Sequence, residues 1–268
     1  MEFVGYFASV LMGLTLGLIG GGGSILTVPI LVYLFSIVPT LATTYSLFIV
    51  GLTALFGGLR YYKRGEVDLK TGVIFAIPSF LGVYLTRHFL LPALPDPVFD
   101  FFQIPVSKSL LIMVLFAILM VFASFSMIKE IKQSQQKSET RAQQKILLIF
   151  FKGLFVGSVT GFVGAGGGFL IIPALVLLIG LPMRRAVGTS LSIIAFNSLL
   201  GFIGDVRHQV LIDWKLLITL STLALLGLQI GIKLNNKIPE KILKKNFGYF
   251  VLVMGSLILF DQIRRQFQ

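Results

Sequence analysis

Apolar residues run along this chain in long blocks that show no period-two alternation, and short charged or glycine-rich breaks separate the blocks. The blocks lie at roughly 3–19, 24–36, 41–60, 71–91 and 106–128, and then at 146–163, 168–180, 186–204, 215–233 and 247–263. Residues 129–145, between the two sets, are rich in Gln, Lys, Ser and Glu. A membrane-crossing helix needs ~20 apolar residues, fewer where it is broken or crosses only in part. Lipid offers backbone N–H and C=O groups no partner, so only helices and closed barrels span it. A barrel strand would alternate; these blocks do not, so they predict helices. The pattern is that of an all-α, polytopic integral membrane protein. Blocks 24–36 and 168–180 are short enough to be re-entrant.

Composition agrees. Hydrophobic residues make up 56% of the chain and charged ones only 13%, with a mean hydropathy of +0.92. A soluble domain carries about a quarter charged residues. The net charge of +12 resembles the footprint of a nucleic-acid binder. Its distribution argues otherwise: residues 1–59 hold no Lys or Arg, and the basic residues cluster in the gaps between blocks. That is how Lys and Arg hold loops on the cytoplasmic side. No nucleic-acid partner is expected; the lipid bilayer is. The chain has no cysteine and two histidines, which leaves no thiolate chemistry and little for a metal site. The first block lacks a basic n-region and reads as part of the mature fold rather than a signal peptide.

The two sets of blocks are related. Sliding the chain by 144 positions, the distance from Gly17 to Gly161, also superposes Gly20 on Gly164 and Gly22-Gly23 on Gly166-Gly167. Leu26, Pro29, Ala42, Ser46-Leu47 and Gly57 then fall on Leu170, Pro173, Ala186, Ser190-Leu191 and Gly201. With one inserted residue, Asp68-Leu69-Lys70 falls on Asp213-Trp214-Lys215. This predicts a first membrane repeat at 1–128, a cytoplasmic linker at 129–145 and a second repeat at 146–268.

Charge sets their orientation. The loop Arg60–Lys70 and the linker are basic and read as cytoplasmic, as do Arg184-Arg185 and the run Lys233–Lys245. The loop 92–105 has Asp96 and Asp100 and no basic residue, and reads as external, as does the loop around Asp205–Asp213. Corresponding loops lie on opposite faces, so the repeats are inverted, a common transporter architecture. Arg264-Arg265 fall outside in this scheme, against the trend.

Gly20–Ser24 and Gly164–Gly168 each break an apolar block. Each interior Gly weakens a helix by about 1 kcal/mol relative to Ala, so a cluster ends it. The freed backbone groups must be buried in protein or line a wet cavity. The segments that follow begin with unpaired N–H groups at the positive end of a helix dipole, which suits an anion. The candidate binding residues are therefore Gly20, Gly22, Gly23 and Ser24, with Gly164, Gly166, Gly167 and Gly168. The plainer reading is that small residues let helices approach closely. Thr43, Thr44 and Ser46, with Thr189, Ser190 and Ser192, are hydroxyls that could reach an anion, or merely bond between helices. Ser46, Thr189, Ser190 and Asn197, an amide deep in its span, join the candidate set. No Asp or Glu lies at mid-membrane to form a carboxylate proton relay.

The strings GLIGGGGSILTVPIL (Gly17–Leu31) and GFVGAGGGFLIIPALVLLIGLPMRRAVGTSL (Gly161–Leu191) resemble the two repeats of the sulfite exporter TauE/SafE family of membrane permeases. The resemblance covers nearly the whole chain. It implies a secondary transporter that exports small anions such as sulfite, an organosulfonate, or a related sulfur-containing or carboxylate anion. It further implies a multi-pass protein of the cell inner membrane, driven by a coupling ion (proton or sodium), without a cofactor, and able to form a homodimer. The first repeat departs from the second where Thr40 and Leu41 replace Arg184 and Arg185. An intramembrane enzyme would need a nucleophile, base and orienter within reach of one another, or a metal, and the spans offer no buried His, no Cys and no carboxylate pair. An anion channel or a non-transporting assembly factor remains as the alternative. The inverted arrangement predicts that a single cysteine at Gln209 is labelled by an impermeant maleimide only from outside. Labelling solely from the cytoplasmic face would overturn it.

Overall fold

The computed structural model describes residues 2–21, 23–90, 93–95, 97, 99–101, 104–106, 114, 117–118, 121–122, 124–125, 128, 142–163, 168–206 and 212–266. Helix α1 spans Glu2–Ile19, and α2 (Gly23–Pro29) runs on as a π-helix, Ile30–Leu34. Then come α3 (Pro39–Lys63) and α4 (Leu69–Leu85), the latter extended by π-helical Thr86–Leu90. Beyond the linker lie α5 (Ala142–Val163), α6 (Gly168–Pro173) with π-helical Ala174–Ile179, α7 (Met183–Val206), α8 (Trp214–Asn235) and α9 (Glu240–Gln266). The fold is helical, as expected, with one exception. In the acidic loop, Phe99–Phe101 (β1) pairs antiparallel with Ile104–Val106 (β2). The block 106–128 and the linker fall largely outside the described residues. Helix α9 starts seven residues before its apolar block, because Lys241 and Lys245 ride on its first turns. By length and composition Leu41–Lys63, Met183–Val206 and Trp214–Asn235 can each cross a membrane, and Phe3–Ile19, Leu69–Leu85, Leu147–Thr160 and Leu170–Ile179 are shorter apolar helices.

Local chemistry sets the helix ends. Pro39 occupies the first turn of α3, where a missing N–H is harmless. The C-terminus of α3 closes as a Schellman motif: Glu66 N donates to Tyr61 O at 3.0 Å and Gly65 N to Tyr62 O at 2.9 Å, with Gly65 at φ +72°. Asp68 and Asp213 cap α4 and α8, accepting at 3.0 Å from Thr71 N and Leu216 N. The two π-helical segments that follow the short helices end alike. Ile37 N reaches back to Leu31 O at 3.1 Å and Leu181 N to Leu175 O at 2.9 Å. The left-handed residue in each turn is Ser36 (φ 54°) in one and Gly180 (φ 83°) in the other.

The helices pack in three main pairs: α1 on α8, α4 on α5, and α3 on α7. Glycine makes the first two possible. A methyl group at Gly13 would overlap the Ala224 carbonyl, and one at Gly227 the Val10 carbonyl. In the other pair, a methyl at Gly157 would overlap the Ser79 carbonyl, and one at Gly82 would lie 2.5 Å from Leu154 O. Backbones therefore touch directly, the usual way helices associate in lipid. Between them α3 and α7 run antiparallel. Thr44 near the start of α3 meets Asp205 near the end of α7, and Tyr61 near the end of α3 abuts Gly188 near the start of α7. Large apolar side chains such as Phe3, Phe7, Phe151, Phe155, Leu226 and Ile230 point outward, as lipid contact requires.

Gly13→Ala should lower the melting point in detergent, an overpacking penalty of roughly 1–3 kcal/mol. Gly204 is helical, and a methyl group added there would meet nothing within 4 Å. At that position Ala should be neutral or stabilising by up to ~1 kcal/mol, so opposite shifts in one thermal assay check the packing.

Candidate functional site

Helix α1 stops at Ile19, Gly20 turns the chain with φ +84°, and α2 starts at Gly23. A helix end buried in an apolar bundle exposes carbonyls that must find donors. They find them on three other helices. Gly17 O accepts from Tyr61 Oη of α3 at 3.0 Å, and Leu18 O from Asn235 Nδ2 of α8 at 2.6 Å. Gly20 O accepts from Ser190 Oγ of α7 at 3.1 Å. The turn closes on itself as well: Gly20 N donates to Leu16 O at 2.7 Å, and Ser24 Oγ donates to Gly21 O at 2.7 Å.

The chain just before α2 touches the first residue of α6 here. A methyl at Gly21 would overlap the Gly168 carbonyl, and one at Gly168 would lie 3.0 Å from Ser24 Oγ. Gly20, Gly21, Ser24, Gly168 and Ser190 are all buried. They form one cluster in which only Gly20, among the described residues of the turn, needs glycine's left-handed conformation.

The structure sorts the expected site residues. Gly20, Ser24, Gly168 and Ser190 come together. Gly23 sits beside them but faces the other way, against the Met12 carbonyl and Leu16 of α1, so its small size serves helix packing. Thr189 is also turned away: its Oγ1 accepts from Asp68 N at 3.0 Å. Ser46 is buried on α3. Asn197 stands seven residues beyond Ser190, ~10 Å along α7. There its Nδ2 lies 3.5 Å from Ser79 Oγ, and its Oδ1 is buried without a partner. Gly22, Gly164, Gly166 and Gly167 lie outside the described residues. Arg184 donates to the carbonyls of Asn236 and Ile238, at 3.4 and 3.3 Å, and so ties α7 to the turn after α8.

Three participants carry no signal of their role in the sequence. Gly21 is one of four equivalent glycines in a row. Tyr61 and Asn235 lie at the polar ends of their blocks, where an amphipathic side chain ordinarily marks an interface. Their reach inward, to carbonyls 44 and 217 residues away, leaves no trace in local pattern.

Chemically, the cluster among the described residues is a nest of backbone groups and hydroxyls, with the Tyr61 phenol at its edge and no carboxylate or basic group bonded to it. Among the described residues no group of three His, Cys, Asp or Glu could hold a metal. Two apolar clefts of about 250 and 490 Å³ lie between α3, α4 and α7, lined by residues such as Leu59, Leu69, Val73 and Phe196. They suit acyl chains better than a charged solute.

Proteins similar to this chain over nearly its whole length carry transporter names. A "Probable membrane transporter protein" of Xylella fastidiosa (strain 9a5c) is 28% identical over 256 residues, 93% of this chain and 91% of the relative. The "Probable membrane transporter protein YunE" of Bacillus subtilis (strain 168) is 29% identical over 271 residues, 95% of this chain and 97% of the relative. "Probable membrane transporter protein YdhB" of the same organism is 27% identical, covering 93% and 97%. The bundle of apolar helices agrees with these names, and the chain is a membrane transporter. It belongs to the sulfite exporter TauE/SafE family, whose pattern it matches over residues 6–258.

Tyr61→Phe removes the donor to Gly17 O and should destabilise the protein by about 1–3 kcal/mol, the cost of orphaning a buried carbonyl. Tyr62→Phe, at an exposed position, should leave the melting point unchanged.

Proposed function

We propose that this chain is a secondary transporter that exports small anions: sulfite, an organosulfonate, or a related sulfur-containing or carboxylate species. In this reading it crosses the cell inner membrane many times as two inverted repeats, 1–128 and 146–268, joined by a cytoplasmic linker at 129–145. A proton or sodium gradient drives it. The anion sits where the two glycine breaks meet, held by backbone N–H groups with Ser24 and Ser190 at its edge, and Asn197 lines the approach. The observation that carries the reading is the contact of Gly21 with Gly168, members of two helix breaks 144 positions apart in register that converge in the buried centre. Backbone unwound inside a bundle is tolerated where it serves a cavity or site.

Further support comes from the packing. The Gly13–Ala224 contact recurs as Gly157–Ser79, and Gly227–Val10 recurs as Gly82–Leu154, which is what a duplication with exchanged partners produces. Burial of the cluster also fits alternating access better than a standing pore.

Purified protein in liposomes, tested for uptake of labelled sulfite, sulfate, acetate and chloride, checks the substrate class. Gly168→Ala is the informative variant, because the nearest atoms its methyl would meet are side-chain atoms, the Ser24 hydroxyl and the end of Ile194, and not backbone. It should fold normally yet reduce transport of the preferred anion about tenfold, the effect of losing one or two charge-assisted hydrogen bonds. Normal transport by Gly168→Ala would move the site elsewhere, and transport of none of the four anions would remove the anion reading.

A further inference from the structure

We propose that Thr189 and Tyr45 are the acceptors of two gate latches, one at each end of the central α3–α7 pair, whose separate release opens the two sides of the transporter. Thr189, fully buried on α7, accepts from the backbone N–H of Asp68 at 3.0 Å. Tyr45, 2% exposed on α3, accepts through its hydroxyl from the backbone N–H of Asp213 at 2.7 Å. Tyr45 and Thr189 correspond under the 144-residue offset, and Asp68 and Asp213 correspond once the single inserted residue is allowed. The same bond is thus made twice, each time from one half of the chain to the other. Different side chains make it, so what the two positions share is the bond itself.

In both places the aspartate carboxylate is already engaged as the cap of its own helix, α4 or α8. The N–H that remains ties the start of that helix to the opposite repeat. The two ties lie at opposite ends of the bundle. Tyr45 and Tyr61 are sixteen residues apart on α3, ~24 Å at the helical rise. Tyr61 is also the residue that abuts Gly188, next to Thr189.

Two features turn these bonds into gates. First, α4 is joined to α5, and α8 to α1, by backbone contacts without intervening side chains. Each pair therefore moves as one body, and the latch is one of the bonds that tie it to the α3–α7 centre, beside Asn197–Ser79 for α4–α5 and Tyr61–Gly17 and Ser190–Gly20 for α1–α8. Second, the residue after Thr189 is Ser190, which donates to Gly20 O at the break. Motion at the latch is passed to the cluster within one residue. With both latches made and the cluster buried, the structure is the occluded state; release of Thr189 opens one side and release of Tyr45 the other. The inference rests on the transporter reading only for the meaning of the two openings.

The native chain has no cysteine, so single reporters are clean. Val67→Cys sits beside the Thr189 latch and Ile212→Cys beside the Tyr45 latch, both half-buried. Reaction with a maleimide is followed in detergent, where both faces are accessible and no substrate is present. Thr189→Val, with Thr189→Ala run in parallel against a folding defect in either, should raise the rate at Val67→Cys roughly two- to tenfold, the shift expected from one lost hydrogen bond. The rate at Ile212→Cys should stay put. Tyr45→Phe should do the reverse, and Thr189→Ser, which keeps the hydroxyl, should restore the original rate. No rise, or an equal rise at both reporters, overturns the latch assignment. Failure of anion uptake in liposomes leaves this result untouched, so the two proposals fall separately.

Discussion

A backbone carbonyl inside a lipid-embedded bundle must be given a donor, and the end of α1 presents several in a row. Leaving even one unsatisfied would cost about 1–3 kcal/mol. Three of the donors arrive from distant helices: Tyr61 from α3, Ser190 from α7 and Asn235 from α8. The break at Gly20 therefore fixes where those helices stand relative to one another. It fixes them by directed bonds, whereas apolar side chains alone would let helices slide, since lipid solvates them equally well. The helix break, which looks like a weakness in the sequence, is the point on which the central part of the bundle is aligned.

Glycine performs three different tasks here, and this explains what could and could not be read in advance. Gly20 supplies a left-handed turn. Gly13, Gly82, Gly157 and Gly227 let backbones touch. Gly21 and Gly168 let the turn before α2 and the start of α6 come together. The block pattern places the helices within a few residues, because lipid imposes a length and a polarity that leave little freedom. The cluster Gly20–Ser24 falls where α1 ends at Ile19 and α2 begins at Gly23. Which glycine faces what is decided by helix rotation, and a run of identical residues has no internal signal for rotation. That is why Gly23 reads as a site residue yet packs against α1, while Gly21 makes the contact expected of it.

The polar residues are harder to read for the same reason. Thr189 and Ser190 are neighbours with the same chemistry in reach. A helix rotation of about 100° sends one hydroxyl to Asp68 and the other to Gly20. Tyr61 and Asn235 are legible as span-end residues but not as caps, because a cap across 217 residues is a tertiary fact. Element ends governed by local chemistry, such as the Asp68 and Asp213 caps and the Gly65 turn, need no such information.

The equivalences between the two halves also show where they have parted. Ser79 of α4, Thr160 of α5, and Asn197 and Ser198 of α7 are polar, and the last three carry buried atoms without a partner. Their counterparts in register are Ala224, Leu16, Thr53 and Ala54, of which only Thr53 is polar, and its hydroxyl is returned to Ile49 O. The α1–α8 side has an unpartnered hydroxyl of its own at Ser221, and the Oδ1 of Asn235 at the helix end. Unpaired buried polar atoms are destabilising by about 1–3 kcal/mol each, so chance drift does not readily gather three of them in one region. The unpaired hydrogen-bonding capacity thus sits on different residues in the two halves: Thr160, Asn197 and Ser198 around α5 and α7, Ser221 and Asn235 on α8. A scaffold whose halves pack alike but place their polar groups unevenly has two ends that differ in chemistry although they share a geometry.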